Sequence, residues 1–421
     1  MKKAILIDVG SSTSKVYLFN EAKNPNLQLI LQRSIPFKEG FDPEGGITER
    51  NKKELIELLL SIKEKNPGLT IKTYATAIFR KLIPPTRTRL IDEIFQETGV
   101  YLNIISHELE NFYLEMALVG KANINENVLL INIGGGSTEL VVMYGKEAIE
   151  RKNIEVGVGT ILERYPELNQ SYSGISLDEV VGWITKKLPP LTNKTKIAFY
   201  TGGELRYMQL AQYPLEQNSL FSDPDHPSII KLSSFVKKNK DIFTKTSLSE
   251  LEQLMPENPK WMHGARACSA LAQAICQHYG IQRIIPSNSN LVNGVVRQEF
   301  RYVTISGSFR RHLKYILEIK KRLEKRGTIV LSPRFSRPKN PREEFVVFHG
   351  EEGLSPLQLE RYHLDSIAKS DALIVCDPNG YIEASALIEI GYANALGKRI
   401  IFTEEPEEFM LNKLPREVGL L

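Results

Sequence analysis

Asn127-Val128-Leu129-Leu130-Ile131-Asn132-Ile133 runs directly into Gly134-Gly135-Gly136-Ser137-Thr138-Glu139, and then into Leu140-Val141-Val142-Met143-Tyr144. Two short apolar runs joined by a small-residue turn read as strand, turn, strand. Three glycines in a row leave the turn without a Cβ, so its backbone N–H groups can approach phosphate oxygens closely. The hydroxyls of Ser137 and Thr138 add donors, and Asn132 sits at the mouth of the strand.

The same device occurs at the start of the chain. Ala4-Ile5-Leu6-Ile7 leads to Asp8-Val9-Gly10-Ser11-Ser12-Thr13-Ser14-Lys15 and then to Val16-Tyr17-Leu18-Phe19. One such turn is weak information. Two of them, each behind a strand-end polar residue (Asp8, Asn132), suggest two related halves whose loops clamp one phosphorylated ligand in a cleft. A third strand, 197–203, also ends in glycines, at Thr201-Gly202-Gly203.

Apolar periodicity predicts helices over about 51–64, 87–98 (closed by Gly99) and 262–279, with strands over 71–75 and 281–286. The Pro-rich, polar stretch 213–260 reads as loops and short helices. Near residue 300 the pattern changes. Strands at 303–305, 328–331, 372–376 and 398–402 alternate with helices at 309–326, 356–368 and 383–396, the sign of a small parallel α/β sheet. The expected division is 1–118 and 119–300 for the two halves, each with one phosphate loop, and 301–421 for the terminal domain.

The 421 residues are 42% apolar and 25% charged, which excludes a disordered, collagen-like or coiled-coil chain. The 54 basic and 50 acidic residues leave a net charge of +4, too little to make nucleic acid the expected main partner. No apolar stretch has the length of a membrane span or a signal-peptide core. The three cysteines, Cys268, Cys276 and Cys376, cannot form a full disulfide framework and no pair has metal-ligand spacing; Cys268 and Cys276 sit in an apolar helical run, so buried free thiols in a reducing cytoplasm are expected. His107 and His263 read as ordinary side chains, not metal ligands.

Residues 8–15 and 133–140 resemble the two phosphate loops of the Ppx/GppA family, exopolyphosphatases and guanosine pentaphosphate phosphohydrolases of the actin/hexokinase-like (ASKHA) fold. Supporting segments follow in the family's order: Ala75-Thr76-Ala77-Ile78-Phe79-Arg80, Ile104-Ile105-Ser106-His107-Glu108-Leu109-Glu110, Gly157-Val158-Gly159-Thr160, Thr201-Gly202-Gly203 and residues 287–294. The resemblance covers about residues 1–298. It implies Glu110 as the base that activates water, and Asp8, with Glu139, at a Mg²⁺ ion. Arg80, Gly10, Ser11, Ser12, Gly134, Gly135, Gly136, Ser137 and Thr138 would hold phosphate. Such a parts list suits phosphoryl transfer, which depends on positioning and charge stabilisation. The chain departs from the family at Asn132, where an Asp is usual, and at His107, Leu109 and Asn111. An amide is a poorer Mg²⁺ ligand than a carboxylate, so a binding fold without hydrolysis is the alternative.

Ile305-Ser306-Gly307-Ser308-Phe309-Arg310-Arg311 ends a predicted strand and opens a helix, a plausible phosphate site. Together with Asp365 to Val375 and Glu383 to Ala393, it resembles the nucleoside 2-deoxyribosyltransferase superfamily over about residues 302–421. That resemblance implies Glu389 as nucleophile at the sugar C1′, Glu383 and Asp365 as its helpers, and Ser308 and Arg310 on a phosphate. Glu383 replaces the family's usual Asp, and Asp371 reads as a strand-end cap.

The combined expectation is an α/β protein: a two-lobed actin/hexokinase-like fold plus a small doubly wound parallel C-terminal domain. Its function would be a two-part cytoplasmic hydrolase, homo-oligomeric, with Mg²⁺ as cofactor. One part would act on polyphosphate or guanosine polyphosphate. The other would cleave the N-glycosidic bond of a nucleotide or deoxynucleotide, in a setting of stress or phage defence. The alternatives are an exopolyphosphatase with a degenerate terminal domain, and an inactive phosphorylated-ligand sensor or assembly subunit.

Overall fold

A computed structural model of the chain describes residues 3–420 apart from 24–25, 120–123, 202–203, 222, 224, 257, 342 and 344. It divides into two compact units. One comprises residues 1–113 and 291–421, the other residues 114–290.

The first unit opens with β1 (Lys3–Val9), β2 (Thr13–Asn20), β3 (Leu27–Ser34) and β4 (Thr70–Ala75), ordered β3-β2-β1-β4. The hairpin β1–β2 is antiparallel with Asp8 opposite Lys15, and β4 runs parallel to β1. Ile5, Ile7, Val9 and Val16 are fully buried, packed with Leu55, Leu59 and Ile62 of the helix Glu49–Lys65. That helix starts where the Thr48 side chain accepts from the Asn51 N–H. The helix Pro84–Thr98 ends at Gly99, in the left-handed region at φ 70°, as its sequence predicts.

The second unit repeats the plan with β5 (Asn127–Ile133), β6 (Thr138–Tyr144), β7 (Glu147–Ile154) and β8 (Ile197–Thr201). Its sheet extends through β9 (Glu216–Gln217), β10 (Ser228–Lys231) and β11 (Arg283–Ser287) in the order β7-β6-β5-β8-β11-β10-β9. Asn132 faces Glu139 across β5–β6, as Asp8 faces Lys15 across β1–β2. The helix Ala265–His278 is nearly all buried and includes Cys276. The stretch 213–260, expected to hold only loops and short helices, contains the fourteen-residue helix Leu232–Lys245, which buries Phe235, Ile242 and Phe243. The Thr201-Gly202-Gly203 motif lies partly outside the described residues.

The chain then returns to the first unit. There β12 (Tyr302–Gly307), β13 (Ile329–Ser332), β14 (Ala372–Cys376), β15 (Arg399–Phe402) and β16 (Glu417–Val418) form a fully parallel sheet ordered β13-β12-β14-β15-β16. Asp371 holds the start of β12 by accepting the Arg301 and Tyr302 N–H groups at 2.7 and 2.8 Å.

Within this unit a quartet of buried charges joins the two sheets. Lys72 of β4 lies 2.7 Å from Glu299 and 3.0 Å from Glu417 of β16. Arg399 of β15 lies 2.8 Å from Glu299 and 2.6 Å from Glu417. The Tyr113 hydroxyl donates to the Glu299 carbonyl, and the Arg399 guanidinium lies over the Tyr74 and Phe300 rings. Two cations and two anions cancel, which a buried cluster requires. Gly294 is needed nearby, since a Cβ there would sit 1.7 Å from the Tyr113 carbonyl oxygen.

Candidate active site

In the first unit, three contacts fix the turn after β1. The Gly10 N–H donates to the Thr13 carbonyl at 3.0 Å, the Ser12 carbonyl accepts from Ile35 N–H, and the Val9 carbonyl accepts from Thr76 N–H. Ser11 is half-buried and Ser12 exposed, so both hydroxyls border solvent. The chain leaving β4 enters a short 3₁₀ turn, Ala77–Lys81, through Ala77 at φ 53°. That conformation is costly for a residue with a Cβ and must be held by its surroundings. It presents Arg80.

Glu110 arrives from another direction. Ala75 exchanges backbone bonds with Asn103 and Ile105, docking the segment before the helix His107–Val119 onto the end of β4. Ser106 caps this helix, its hydroxyl accepting from Leu109 N–H and its carbonyl from Glu110 N–H. Glu110 therefore sits in the first turn, and its Oε2 lies 2.5 Å from Arg80 Nη1. Asp8 shares this neighbourhood. Burial pushes its carboxyl up to about 6, Lys15 opposes the rise and the negative Glu110 adds to it. His107 is exposed at the helix start and Asn111 is buried.

In the second unit the glycine turn is held from behind. The Gly134 N–H donates to the Ser137 carbonyl at 2.8 Å, repeating the Gly10–Thr13 bond. The three glycine carbonyls then accept in sequence: Gly134 from Val158 N–H at 3.0 Å, Gly135 from Gly159 N–H at 2.6 Å, and Gly136 from the Thr160 hydroxyl at 3.3 Å. In a trans peptide each N–H points opposite the preceding carbonyl. The N–H groups of Gly135, Gly136 and Ser137 therefore face away from residues 158–160, on the exposed side of the turn. Gly157 permits this packing, since a Cβ there would lie 2.5 Å from the Gly134 oxygen, whereas one on Gly135 or Gly136 would meet nothing within 4 Å. Successive outward N–H groups make an anion-binding concavity.

Thr138 does not join that row. Its hydroxyl is buried and donates to the Val156 carbonyl at 2.7 Å, a structural bond in place of the expected phosphate contact. Glu139 stands beside Asn132, and Arg151, which also pairs with Glu115, lies within its field.

The model of the Ppx/GppA phosphatase family matches residues 22–302. The chain belongs to this family. A Ppx/GppA phosphatase from Aquifex aeolicus shares the fold at TM-score 0.56 and 18% identity, covering 70% of this chain and 98% of that one. An exopolyphosphatase from Cytophaga hutchinsonii does so at TM-score 0.52 and 16% identity, over 70% and 96%. A bifunctional 3-dehydroquinate synthase/phosphatase of Fusobacterium nucleatum is 24% identical over 314 residues, 69% of this chain and 46% of that protein. The chain thus spans about half the length of this curated relative. The fold is the α/β, actin/hexokinase-like one of the Ppx/GppA proteins, with a further parallel sheet at the C-terminal end.

Mg²⁺ fits the Ppx/GppA residues only if a bound phosphate completes its shell. Among the described residues no three His, Cys, Asp or Glu side chains are grouped to hold a metal. Mg²⁺ is nevertheless commonly held by one or two carboxylates plus substrate phosphate. Asp8, reluctant to ionise because it is buried and, to a lesser extent, because Glu110 is near, is a carboxyl that a nearby cation would help to ionise.

Beyond the family match, β12 ends at Gly307 (φ 144°), where a Cβ would lie 2.6 Å from the Cys376 carbonyl oxygen. Ser308 caps the next helix, accepting from Arg311 N–H, and is fully buried. Arg310 pairs with Glu383 at 2.6 Å. Burial raises the Glu383 carboxyl, but the Ser308 hydroxyl and Arg310 outweigh it and hold the group below its ordinary range. A phosphate reaching Ser308 and Arg310 must therefore displace Glu383. Arg311 stacks over Tyr381 at 4.3 Å. Glu389 is 5% exposed within the helix Ala384–Ala395. Asp365, expected to assist it, lies on the exposed side of the helix Pro356–Lys369; the residue that reaches Glu389 is His363, at 3.2 Å. His363 and Glu360, and the bracing residues Gly157, Gly159 and Thr160, are not among the residues that the sequence motifs assign to a site. The spacing of glycines at 157 and 159 was the available signal. No helix among the described residues is long and apolar enough to cross a membrane.

Proposed function

We propose that this Ppx/GppA protein is a phosphohydrolase that releases orthophosphate from polyphosphate or a guanosine polyphosphate. The carrying observation is the row of outward N–H groups at 135–137, braced through their carbonyls by residues 158–160. A row of fixed dipoles favours a chain of phosphate oxygens over a neutral ligand. In the first unit, Glu110 takes a proton from the attacking water as its oxygen bonds to phosphorus and the bridging P–O bond breaks. Arg80 leaves Glu110 for a phosphate oxygen, so substrate itself frees the base. Mg²⁺, when bound at Asp8, would neutralise charge on phosphate oxygens.

The test offers purified protein and Mg²⁺ to polyphosphate and to guanosine pentaphosphate, scoring orthophosphate. Release from one of them supports the reading, and release from neither overturns it. Asn132 favours one other reading, a phosphate-chain sensor without turnover, because it replaces a metal-binding carboxylate with an amide. Ligand-induced stabilisation without orthophosphate release would support that reading.

For the C-terminal sheet we propose cleavage of a nucleotide N-glycosidic bond, with Glu389 as nucleophile. The burial of Glu389 in an otherwise apolar helix supports it, since a buried carboxylate needs a compensating role. Free base released from a deoxynucleotide, and lost in Glu389→Gln, is the expected result.

A further inference from the structure

Three titratable side chains meet on the inner face of two helices of the C-terminal sheet. His363 Nε2 lies 3.2 Å from Glu389 Oε2, and Glu360, one turn before His363, faces the same pair. The other ring nitrogen, Nδ1, is 2.7 Å from the Ser332 hydroxyl at the end of β13. Glu389 and His363 are 5% and 8% exposed. Glu389 Oε2, His363 Nε2 and Glu360 Oε1 are all buried without completing a hydrogen bond. Most buried polar atoms are satisfied, and orphans gathered at one point mark strain or function. A purely structural ion pair would align its bond, and an apolar trio would pack without the cost.

We propose that His363 is a positioning residue for Glu389, its Nε2 orienting the carboxylate for attack on C1′ of a nucleotide while Ser332 fixes the ring from behind. This inference rests on the N-glycosidase reading of Glu389. In the first step a Glu389 oxygen bonds to C1′ as the C1′–N bond breaks. The electron pair leaves on the base, which takes a proton from water. In the second step water attacks C1′, its proton goes to solvent, and the Glu389 carboxylate is released. Carboxylate attack needs an ionised, aimed oxygen at both stages. The titratable groups facing His363 are Glu389 from the neighbouring helix and Glu360 from its own. Burial lowers its basicity, but Glu389 and then Glu360 outweigh burial and carry it above the usual histidine range. The protonated ring is therefore held more firmly than in a free histidine, and rising pH removes it.

The experiment follows base release from a panel of 2′-deoxynucleoside 5′-monophosphates against pH, using the full chain and His363→Gln, Ser332→Ala and Glu389→Gln. Wild type is expected to lose kcat as rising pH deprotonates His363, at a higher pH than a free histidine would. In His363→Gln, kcat should fall about 100-fold with KM within about threefold, and the alkaline limb should vanish. Ser332→Ala keeps the ring but removes the acceptor at Nδ1, so the limb should move to lower pH; this variant stands in if His363→Gln does not fold. An unchanged limb in both variants, with Glu389→Gln inactive, overturns the role of His363 alone. Full activity in Glu389→Gln, or a wild type that frees base from no nucleotide, overturns the N-glycosidase reading and this inference with it.

Discussion

Arg80 Nη1 stands 2.5 Å from Glu110 Oε2, so the cation suited to bind phosphate and the carboxylate suited to activate water occupy each other. Removing either partner should have distinct effects. Glu110→Gln should lower orthophosphate release by about 100-fold or more with KM little changed. Arg80→Ala should mainly raise KM, and part of the loss should return as Mg²⁺ is increased. Steady-state kinetics on polyphosphate separates the two, and equal effects on kcat and KM from both substitutions would contradict the exchange.

Asp8 should make the protein less stable as pH rises. Its carboxyl titrates at about 6 in the folded chain against 3.8 unfolded, chiefly because of burial. Below about 4 the group is protonated in both states and costs nothing; between about 4 and 6 the folded state must hold the proton or forfeit stability, and above about 6 the penalty is complete. Asp8→Asn should therefore stabilise by about 1–2 kcal/mol at pH 7.5, discounted for partial exposure, and by nothing at pH 3.5. Urea melts at the two pH values check this, and added Mg²⁺ should narrow the difference at pH 7.5.

Two glycines that look alike in sequence should behave differently. Gly157→Ala places a methyl against the Gly134 and Gly135 backbone and should cost about 2–3 kcal/mol. Gly136→Ala meets nothing and should fold with stability within about 1 kcal/mol of wild type, yet weaken polyphosphate binding where its N–H group faces out. Thermal melts with and without polyphosphate distinguish them.

Asn132→Asp sets two negative charges opposite each other on β5–β6, since Glu139 is its register partner. It should cost about 0.2–1 kcal/mol without metal. Mg²⁺ should recover that stability and raise orthophosphate release above wild type. A variant indifferent to Mg²⁺ would show that residue 132 has no part in holding the ion.

Glu417→Gln should leave Lys72 and Arg399 sharing Glu299 alone, with a buried positive charge in excess. The expected cost is about 3–5 kcal/mol. Opposing its burial, the Arg399 and Lys72 cations hold the wild-type Glu417 carboxyl down at about 2. Its stabilisation is full above the ordinary glutamate range and is lost as pH falls from about 4.5 towards 2, so acid melts of wild type and variant should converge there.

The hairpins were legible because buried strands beside glycine turns carry an apolar signal at short range. Strands β3 and β7 were not read. They lie at sheet edges, where Leu29, Ile30 and Ile149 are exposed and no buried face imposes a pattern. Glu110 and Arg80 were found through motif resemblance, but their mutual contact depends on the docking of residues 103–105 onto β4, a tertiary fact. Asp365 and His363 show the other limit. Two positions apart on a helix is about 200° of rotation, so one faces solvent and the other Glu389. The charge quartet left no trace in sequence, because its four members come from four separate segments.

That quartet has a practical meaning for anyone shortening the chain. The residues bearing the family pattern contribute Lys72 and Glu299, and the remainder contributes Arg399 and Glu417. A fragment ending after the family match would keep one cation and one anion but bare the surface around Tyr74 and Tyr113, which carries the strand leading to Arg80 and the helix bearing Glu110. The appended sheet is thus part of the packing beneath the strand and the helix that carry Arg80 and Glu110.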